Sequence, residues 1–256
     1  MQRPLRKLHL LYHDLRHSKS NYSYVMQTGD FENHVKRFGE LRRGNGFGLW
    51  PELTFDDGHI SNFEIAAPIL ESRALTARFF ITAGWTGKEP GYMGWAELRA
   101  LHAAGHTIGG HGWTHTLLTR CGNIELETEL KRTKLTLEDK LGTPITTMSL
   151  PGGRYDRRVL AACRKSGYLE VYSSIPRAES VPFGDTIGRV NILGDVQLEW
   201  ISSLFRSDGH VLSGLNRQYQ IKAAARMLLR DRLYAKLWAL INKKEPDGNE
   251  GEDHTE

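Results

Sequence analysis

Short apolar runs and helically spaced apolar residues alternate along the first two thirds of the chain. A continuous apolar run within 7–12 predicts a strand. A second strand is predicted over 49–55, where Pro51 requires that the early part be a bend or an edge. Further strands are predicted over 77–82, 106–110, 145–150 and 168–174, and helices over 31–43, 63–73, 95–102, 125–141 and 157–166. This alternation predicts parallel strands joined by crossover helices, in an α/β sheet or barrel.

The C-terminal part follows a different pattern. Apolar residues recur on one broad helical face from Ile221 to Ile241, while residues 216–244 carry eight Lys or Arg and one acid, Asp231. The pattern predicts a basic amphipathic helix. Such a helix either packs on the rest of the fold or lies against an anionic membrane or a partner.

The tail and the composition indicate how the chain is organised. The last twelve residues hold six acids and no Lys or Arg, and they offer too little apolar surface to offset the entropy of ordering. We therefore expect a barrel domain over 1–205, a helical extension over 206–244 and a disordered acidic tail over 245–256. The whole chain of 256 residues is 39% hydrophobic and 25% charged, which is ordinary for a soluble globular protein.

Charge and targeting signals argue against several classes of protein. The net charge is +4, but no stripe of Lys and Arg interleaved with aromatic residues is present, so we expect no nucleic-acid partner. No segment approaches about 18 uninterrupted apolar residues, and the run from Leu8 to Leu11 is too short for a signal peptide. Cys121 and Cys163 are too few for a disulfide framework. We expect a cytoplasmic protein, with 216–244 as a candidate peripheral contact to the inner membrane face.

Two adjacent carboxylates, Asp56 and Asp57, follow the predicted strand 49–55 directly. In parallel α/β folds, active sites lie at the carboxyl ends of the strands. Neighbouring side chains there point in different directions, so one carboxylate could bind a cation while the other takes a proton. Gly58 would allow a tight turn, and the segment could also be no more than that turn.

Two histidines, His111 and His115, follow the predicted strand 106–110. A spacing of four residues places both imidazoles on one side of a helical turn, which suits a pair of zinc ligands. Taken alone, they could equally be two surface histidines. Combined with one carboxylate, they would make a three-ligand site with open positions for water and substrate, the form typical of catalytic zinc.

A third segment, Pro151-Gly152-Gly153, follows the predicted strand 145–150. A turn of this kind can present backbone N–H groups to a cleft, as an oxyanion hole requires. By itself it could also be only a turn.

These three segments together resemble the first three motifs of the polysaccharide deacetylases, the NodB-homology or carbohydrate esterase family 4 group. The segments are 54–58 (TFDDG), 111–115 (HGWTH) and 151–153 (PGG), and 77–81, 93–98 and 105–109 between them also fit. The resemblance covers about residues 8–192. It implies a distorted (β/α) barrel of about seven strands that removes acetyl groups from sugars.

The resemblance also implies roles for individual residues. Asp56 matches the catalytic base, and Asp57, His111 and His115 match the ligands of one divalent metal ion, with zinc the preferred candidate. The backbone N–H of Gly152 matches the oxyanion donor, within the substrate-binding turn 151–153. The leading Leu11-Tyr12-His13, the Pro-Gly-Gly form and the basic C-terminal helix look like deacetylases encoded with bacterial surface-polysaccharide biosynthesis.

The sequence departs from the family pattern at several positions. Gly112 stands where Ser or Thr is usual, and Ser149 stands where an arginine usually braces the catalytic aspartate. Gly152 replaces an aromatic residue. The late motif that carries the general-acid histidine has no clear counterpart in 187–192, and the aspartate-bearing fourth motif is not evident. The general acid is therefore unidentified, with His13 and His59 as candidates.

The main hypothesis is a metal-dependent hydrolase that removes N-acetyl groups from a glycan or a lipid-linked glycan precursor in surface-polysaccharide metabolism. A second is another amide hydrolase on the same barrel, acting on a cyclic or small linear amide. A third is a catalytically degenerate glycan-binding protein, which the missing late motifs favour and the intact Asp-Asp and His-x-x-x-His set opposes.

Overall fold

A computed structural model describes residues 6–43, 49–206 and 209–241, with side chains of the last helix described as far as Ala225. The strands are β1 (Arg6–Tyr12), β2 (Asp14–Arg16), β3 (Val25–Gln27), β4 (Leu49–Phe55), β5 (Ala77–Ile81), β6 (Thr107–Gly110), β7 (Thr147–Ser149), β8 (Glu170–Tyr172), β9 (Glu179–Ser180) and β10 (Arg189–Asn191). The helices are α1 (Thr28–Arg43), α2 (Ala67–Glu71), α3 (Trp95–Ala103), α4 (Asn123–Leu141), α5 (Arg157–Lys165), α6 (Leu198–Leu204) and α7 (His210–Ile241).

Seven strands form a nearly closed parallel barrel. They pair in the order β10-β1-β4-β5-β6-β7-β8, and β9 adds a short antiparallel pairing to β1. The two ends of this series meet through a parallel bridge between Tyr172 of β8 and Ile187, just before β10. The predicted distorted barrel of about seven strands is confirmed.

The apolar spacing that predicted the first crossover helix corresponds to its buried face. Phe31, Val35 and Phe38 of α1 are each fully buried in the main core. The helix begins at Thr28, so Asp30 lies in its first turn. Its carboxylate lies where the positive end of the helix dipole favours negative charge.

Pro51 fits the predicted edge position within β4. It pairs with Leu8 of β1, whereas the pairing of β4 with β5 begins only at Leu53. The part of β4 that carries Pro51 is therefore paired on one side only, where a residue without an N–H is tolerated. The predicted helix over 63–73 differs more, because it begins as a π-helical turn, Asn62–Ala66, before α2.

Five short elements were not predicted from the sequence: β2, β3, β9, β10 and α6. Each strand among them has two or three residues, too few for a period-two pattern to appear. The omission of β10 matters most, because this strand carries the buried Arg189, which contacts Asp56 at the end of β4.

The C-terminal helix α7 begins at His210 and ends at Ile241. Its first turns pack on the core through Val211, Leu212 and Leu215. Ile221, predicted to begin the apolar face, is 63% exposed. From Leu228 onward that face lies outside the described side chains, as does the tail over 245–256. Within the described residues, no helix has both the length and the apolar character to cross a bilayer.

Candidate active site

The three sequence segments meet at the carboxyl ends of neighbouring strands. Asp56 and Asp57 follow β4, His111 follows β6, and the turn Pro151–Gly153 follows β7. The strands β4, β5, β6 and β7 are adjacent in the barrel. The segments line one cleft with a volume of about 750 Å³. The local reason is topological, because parallel strands all end at the same face of the barrel.

Asp57, His111 and His115 form a cluster with the geometry of a metal site. The Asp57 Oδ1 atom lies 3.2 Å from Nε2 of His111 and 3.2 Å from Nε2 of His115. One potential ligand atom from each residue lies within 4.8 Å of the others. Two imidazoles and one carboxylate make a donor set that suits a borderline divalent ion such as zinc.

The surroundings of these residues support the fit to a metal ion. Among the described residues, the buried Oδ1 of Asp57 has no hydrogen-bond partner. Nδ1 of His111 lies 2.9 Å from the carbonyl oxygen of Ser149, a contact in which Nδ1–H donates. The lone pair of Nε2 then faces Asp57, because hydrogen bonding at one ring nitrogen fixes the tautomer and leaves the other free to ligate.

The backbone around the cluster adopts sparsely populated conformations. Asp57 has φ 71° and His115 has φ 64°, both in the left-handed region. Gly112 has φ 81°, and a Cβ there would approach Oε2 of Glu129 to 3.1 Å. A glycine therefore suits this position, where the family usually has Ser or Thr. Strain of this kind concentrates at functional sites and persists only where the surroundings enforce it.

Glu129 of α4 helps to hold the backbone between His111 and His115 in place. Its side chain is buried, and its Oε2 accepts hydrogen bonds from the N–H groups of Trp113, at 2.6 Å, and Thr114, at 3.0 Å. Its Oε1 accepts from the Thr114 hydroxyl at 2.8 Å. One buried carboxylate thus fixes the loop between the two histidines. Sequence reasoning missed it, because Glu129 lies in the middle of a helix with no motif around it.

Asp56 is held by a buried arginine from β10, which is separated from β4 only by β1. Arg189 of β10 donates from Nη1 to Oδ1 of Asp56 at 2.7 Å and from Nη2 to Oδ2 at 2.8 Å. The hydroxyl of Ser149 also donates to Oδ2, at 2.9 Å, and accepts from Nη2 of Arg189 at 2.7 Å. Arg189 is fully buried. The arginine that the family pattern places at Ser149 is thus supplied by another strand, and Ser149 joins its hydrogen-bond network.

The charges in the site shift the pKa values of its acids and bases. Burial alone would raise the pKa of Asp56, but Arg189 and His111 reverse this and hold it below the ordinary value. Burial would likewise raise the pKa of Asp57, and the imidazoles of His111 and His115 hold it well below. Burial lowers the pKa of His13, an effect that the Asp57 and Asp56 carboxylates partly oppose. The site therefore favours both aspartates in the ionised form.

The remaining predicted residues line the cleft or lie near it. Gly152 and Gly153 line it, and Pro151 is buried beneath. Pro151 has no N–H and the Gly153 N–H donates to the Leu150 carbonyl at 2.7 Å, so Gly152 carries the N–H that the turn could offer. His13 lines the cleft at the end of β1. His59 is not among the lining residues, and its Nδ1 lies 2.7 Å from the Ser61 hydroxyl.

Helix α7 forms one wall of the cleft. Four of its side chains line the cavity that holds the Asp-His-His cluster: Leu215, Gln218, Tyr219 and Lys222. A C-terminal helix that merely covered the outside of the barrel would not reach this face. The beginning of α7 is therefore part of the site.

A family model for polysaccharide deacetylase matches residues 52–171, the part that carries Asp56, Asp57, His111, His115 and the turn after β7. This stretch of the chain matches the polysaccharide deacetylase family. The resemblance drawn from the sequence is thereby confirmed.

Curated deacetylases are similar to about half of the chain. It is 30% identical over 139 residues to chitooligosaccharide deacetylase of Rhizobium leguminosarum bv. trifolii, covering 53% of this chain and 61% of that one. It is 29% identical over 119 residues to chitin deacetylase 1 of Cryptococcus neoformans, covering 46% and 24%. The chain thus spans less than two thirds of the length of each.

Solved structures of deacetylases share the fold. The deacetylase PplD of Streptococcus pyogenes, solved in complex with acetate, superposes with a TM-score of 0.72 at 18% identity, over 80% of this chain and 100% of that one. IcaB from Ammonifex degensii gives 0.66 at 19% identity, over 80% and 97%. At these identities the likeness establishes the barrel alone.

Proposed function

We propose that this protein is a metal-dependent hydrolase that removes N-acetyl groups from a glycan or a lipid-linked glycan precursor. The observation that carries the proposal is the Asp-His-His cluster beside a second, braced carboxylate at the bottom of a cleft. Asp57, His111 and His115 would hold one divalent ion, with zinc as the preferred candidate. When bound, such an ion supplies Lewis acidity, which polarises an amide carbonyl and lowers the pKa of a water molecule.

Asp56 is proposed as the general base. A carboxylate has about four acceptor sites, and Arg189 and Ser149 use three of them at Asp56. One site is left for the proton of the attacking water. The bidentate arginine also fixes the orientation of the carboxylate, which proton transfer requires.

The Gly152 N–H is proposed to donate a hydrogen bond to the developing oxyanion, within the substrate-binding turn Pro151–Gly153. The positive φ of Gly152, 61°, and of Gly153, 66°, shape this turn. A preformed N–H donor of this kind stabilises charge that appears only in the transition state.

His13 is proposed as the general acid that protonates the leaving amine. Burial lowers its pKa and so disfavours the protonated imidazolium, while the nearby carboxylates of Asp57 and Asp56 oppose this shift. It lies at the end of β1 and lines the cleft, whereas His59 lies outside the lining. Its main-chain carbonyl accepts a hydrogen bond from Nδ2 of Asn62 at 2.7 Å, which fixes the backbone at this point. The proton donor would thus follow the first strand of the barrel, in the Leu11-Tyr12-His13 segment that the sequence resemblance assigns to deacetylases of surface-polysaccharide biosynthesis.

The size of the cleft supports a saccharide over a small amide. Its volume of about 750 Å³ and its wall from α7 provide room beyond one acetamido group. The substrate is proposed to be an N-acetylated saccharide of bacterial surface-polysaccharide metabolism. Contact of 216–244 with an anionic inner membrane face would bring a lipid-linked form of it to a cytoplasmic enzyme.

The test is acetate release from a panel of N-acetylated saccharides, with and without added divalent metal, for the parent and Asp56→Asn. Loss of a general base lowers turnover by about 10²–10⁴-fold, while metal binding should persist because Asp56 is not a proposed ligand. Asp185→Asn, at an exposed position outside the cleft lining, is the matched control. Release from small amides but not from saccharides would favour another amidase. Saccharide binding without any release would favour a degenerate binding protein.

A further inference from the structure

Trp113 lies between the two proposed histidine ligands along the chain, yet it is outside the described lining of the cleft. It belongs to the segment 111–115, in which Gly112 has φ 81° and His115 has φ 64°. The spacing of the histidines predicted a helical turn, and these positive φ values rule one out. Contacts from outside the segment must therefore decide where the two imidazoles lie.

Two neighbouring elements hold the main chain of this segment. The buried carboxylate of Glu129 in α4 accepts the Trp113 N–H at 2.6 Å. The loop after β5 supplies two donors: the Ala83 N–H donates to the Gly112 carbonyl at 3.1 Å. The Gly84 N–H donates to the Trp113 carbonyl at 2.9 Å, and a Cβ at Gly84 would lie 2.2 Å from that oxygen. The segment therefore has little room to shift on this side.

The ring of Trp113 is held by cations. The guanidinium carbon of Arg132 lies 3.9 Å from the ring centroid, and Nζ of Lys88 lies 5.6 Å from it. A cation within about 6 Å of an indole face is attracted to it, and indole is the best of the aromatic rings for this contact. Arg132 is exposed and lies three residues after Glu129, so both side chains leave the same face of α4. One helix face thus holds both the main chain and the ring of Trp113.

A displacement of Trp113 would reach both proposed histidine ligands, because it is two residues from each. A zinc site tolerates little displacement, since its zinc–nitrogen distances are about 2.0–2.1 Å. Replacing a residue that orients a metal ligand from behind typically changes metal affinity by about 10–100-fold. Arg132 acts one step further from the metal, so the lower end of that range is expected.

We propose that Arg132 is a positioning residue for the metal site, acting through the Trp113 ring on His111 and His115. It contacts neither the cleft nor the proposed ligands, and it sets where the ligands lie by holding the residue between them. This inference rests on the metal site of the proposed function. It adds to that site a residue on the outside of the barrel.

Simple electrostatics predicts the opposite effect for this residue. A positive charge repels a divalent cation, so replacing Arg132 by a neutral residue would leave zinc affinity unchanged or raise it. Positioning predicts that the same replacement lowers zinc affinity. The sign of the change therefore distinguishes the two effects.

The experiment measures the zinc affinity of the full chain by competition with a chelator. Arg132→Gln should weaken zinc binding about tenfold. Arg132→Lys should weaken it less, because a lysine keeps a cation that can lie over the ring. Trp113→Leu should also weaken it, and the double variant should lose no more than Trp113→Leu alone, because Arg132 acts only through the ring. The matched control is Lys131→Gln, which removes the same charge from an exposed neighbour whose Nζ pairs with Glu127, and it should leave zinc affinity unchanged.

Urea unfolding of the metal-free variants separates positioning from a general loss of stability. Because Arg132 is exposed, Arg132→Gln should leave the free energy of unfolding nearly unchanged. Zinc affinity that Arg132→Gln does not lower would overturn the proposal, as would effects of Arg132→Gln and Trp113→Leu that simply add. A parent protein that binds no zinc would overturn it together with the proposed metal site. Arg132-dependent zinc binding, with no acetate release by the parent from any saccharide, would support the positioning role and sink the hydrolase function alone.

Discussion

Replacement of Arg189 by methionine should disable the site through Asp56. The guanidinium is fully buried and all five of its N–H donors have acceptors. Two bonds go to Asp56, and one each to the Ser173 carbonyl, at 3.1 Å, the Ser149 hydroxyl, at 2.7 Å, and the Thr54 hydroxyl, at 3.4 Å. Methionine fills much of the same volume and makes none of these bonds.

The magnitude follows from the burial of the pair. Removing one partner of a buried ion pair costs about 3–5 kcal/mol, because the other charge is left uncompensated. A typical domain is stable by about 5–15 kcal/mol, so the variant should fold with a reduced free energy of unfolding. Arg189→Lys keeps the charge but cannot bridge both carboxylate oxygens in the same fork geometry, and it should lose less stability and most of the turnover.

The assays are urea unfolding and acetate release, combined in a double-mutant cycle with Asp56→Asn. If Arg189 acts by holding Asp56, its substitution should lower the free energy of unfolding and the turnover far less when the Asp56 charge is already absent.

An exchange variant, Ser149→Arg with Arg189→Ser, offers a second test. Because Ser149 and Arg189 contact the same carboxylate oxygen, an arginine at 149 should recover part of the turnover. Arg189→Met with wild-type stability and turnover, or effects that simply add in the cycle, would refute this reasoning.

Three other changes test separate parts of the structure. Asp57→Asn should weaken the affinity for zinc, measured by competition with a chelator, because a charged ligand becomes neutral; unchanged affinity would remove Asp57 from the metal site. Glu129→Gln should lower the free energy of unfolding by about 2 kcal/mol, since a buried carboxylate that accepts three hydrogen bonds loses its charge, whereas Glu127→Gln, exposed on the same helix, should change it by less than about 0.5 kcal/mol; equal effects would contradict the role of Glu129 in the loop. Salt-sensitive binding to anionic vesicles should weaken when three basic residues of 216–244 are replaced by glutamine, since each is worth about 1 kcal/mol near such a surface. The three are Arg226, Arg230 and Lys236. Binding that the triple variant retains, or that the parent lacks at low salt, would contradict a membrane role.

The long periodic elements could be predicted from the sequence because their patterns are local. The strand 49–55 and the helix faces of α1 and α4 follow from apolar spacing within a single segment. The position of Asp56, Asp57, His111 and Pro151 after predicted strands indicated a shared site. That step needs only the rule that parallel strands end at one face of the barrel.

What the sequence determined by itself is therefore the strand–helix alternation and the residues that each strand end can present. The tertiary structure decided which distant residues complete the site. Arg189 is 133 residues from Asp56 along the chain, and it reaches Asp56 because β10 pairs with β1 beside β4. Glu129 reaches the histidine loop from the middle of α4. Neither contact leaves a local pattern, because a buried ion pair or hydrogen bond depends on where the barrel brings two segments together, and sequence spacing carries no information about that distance.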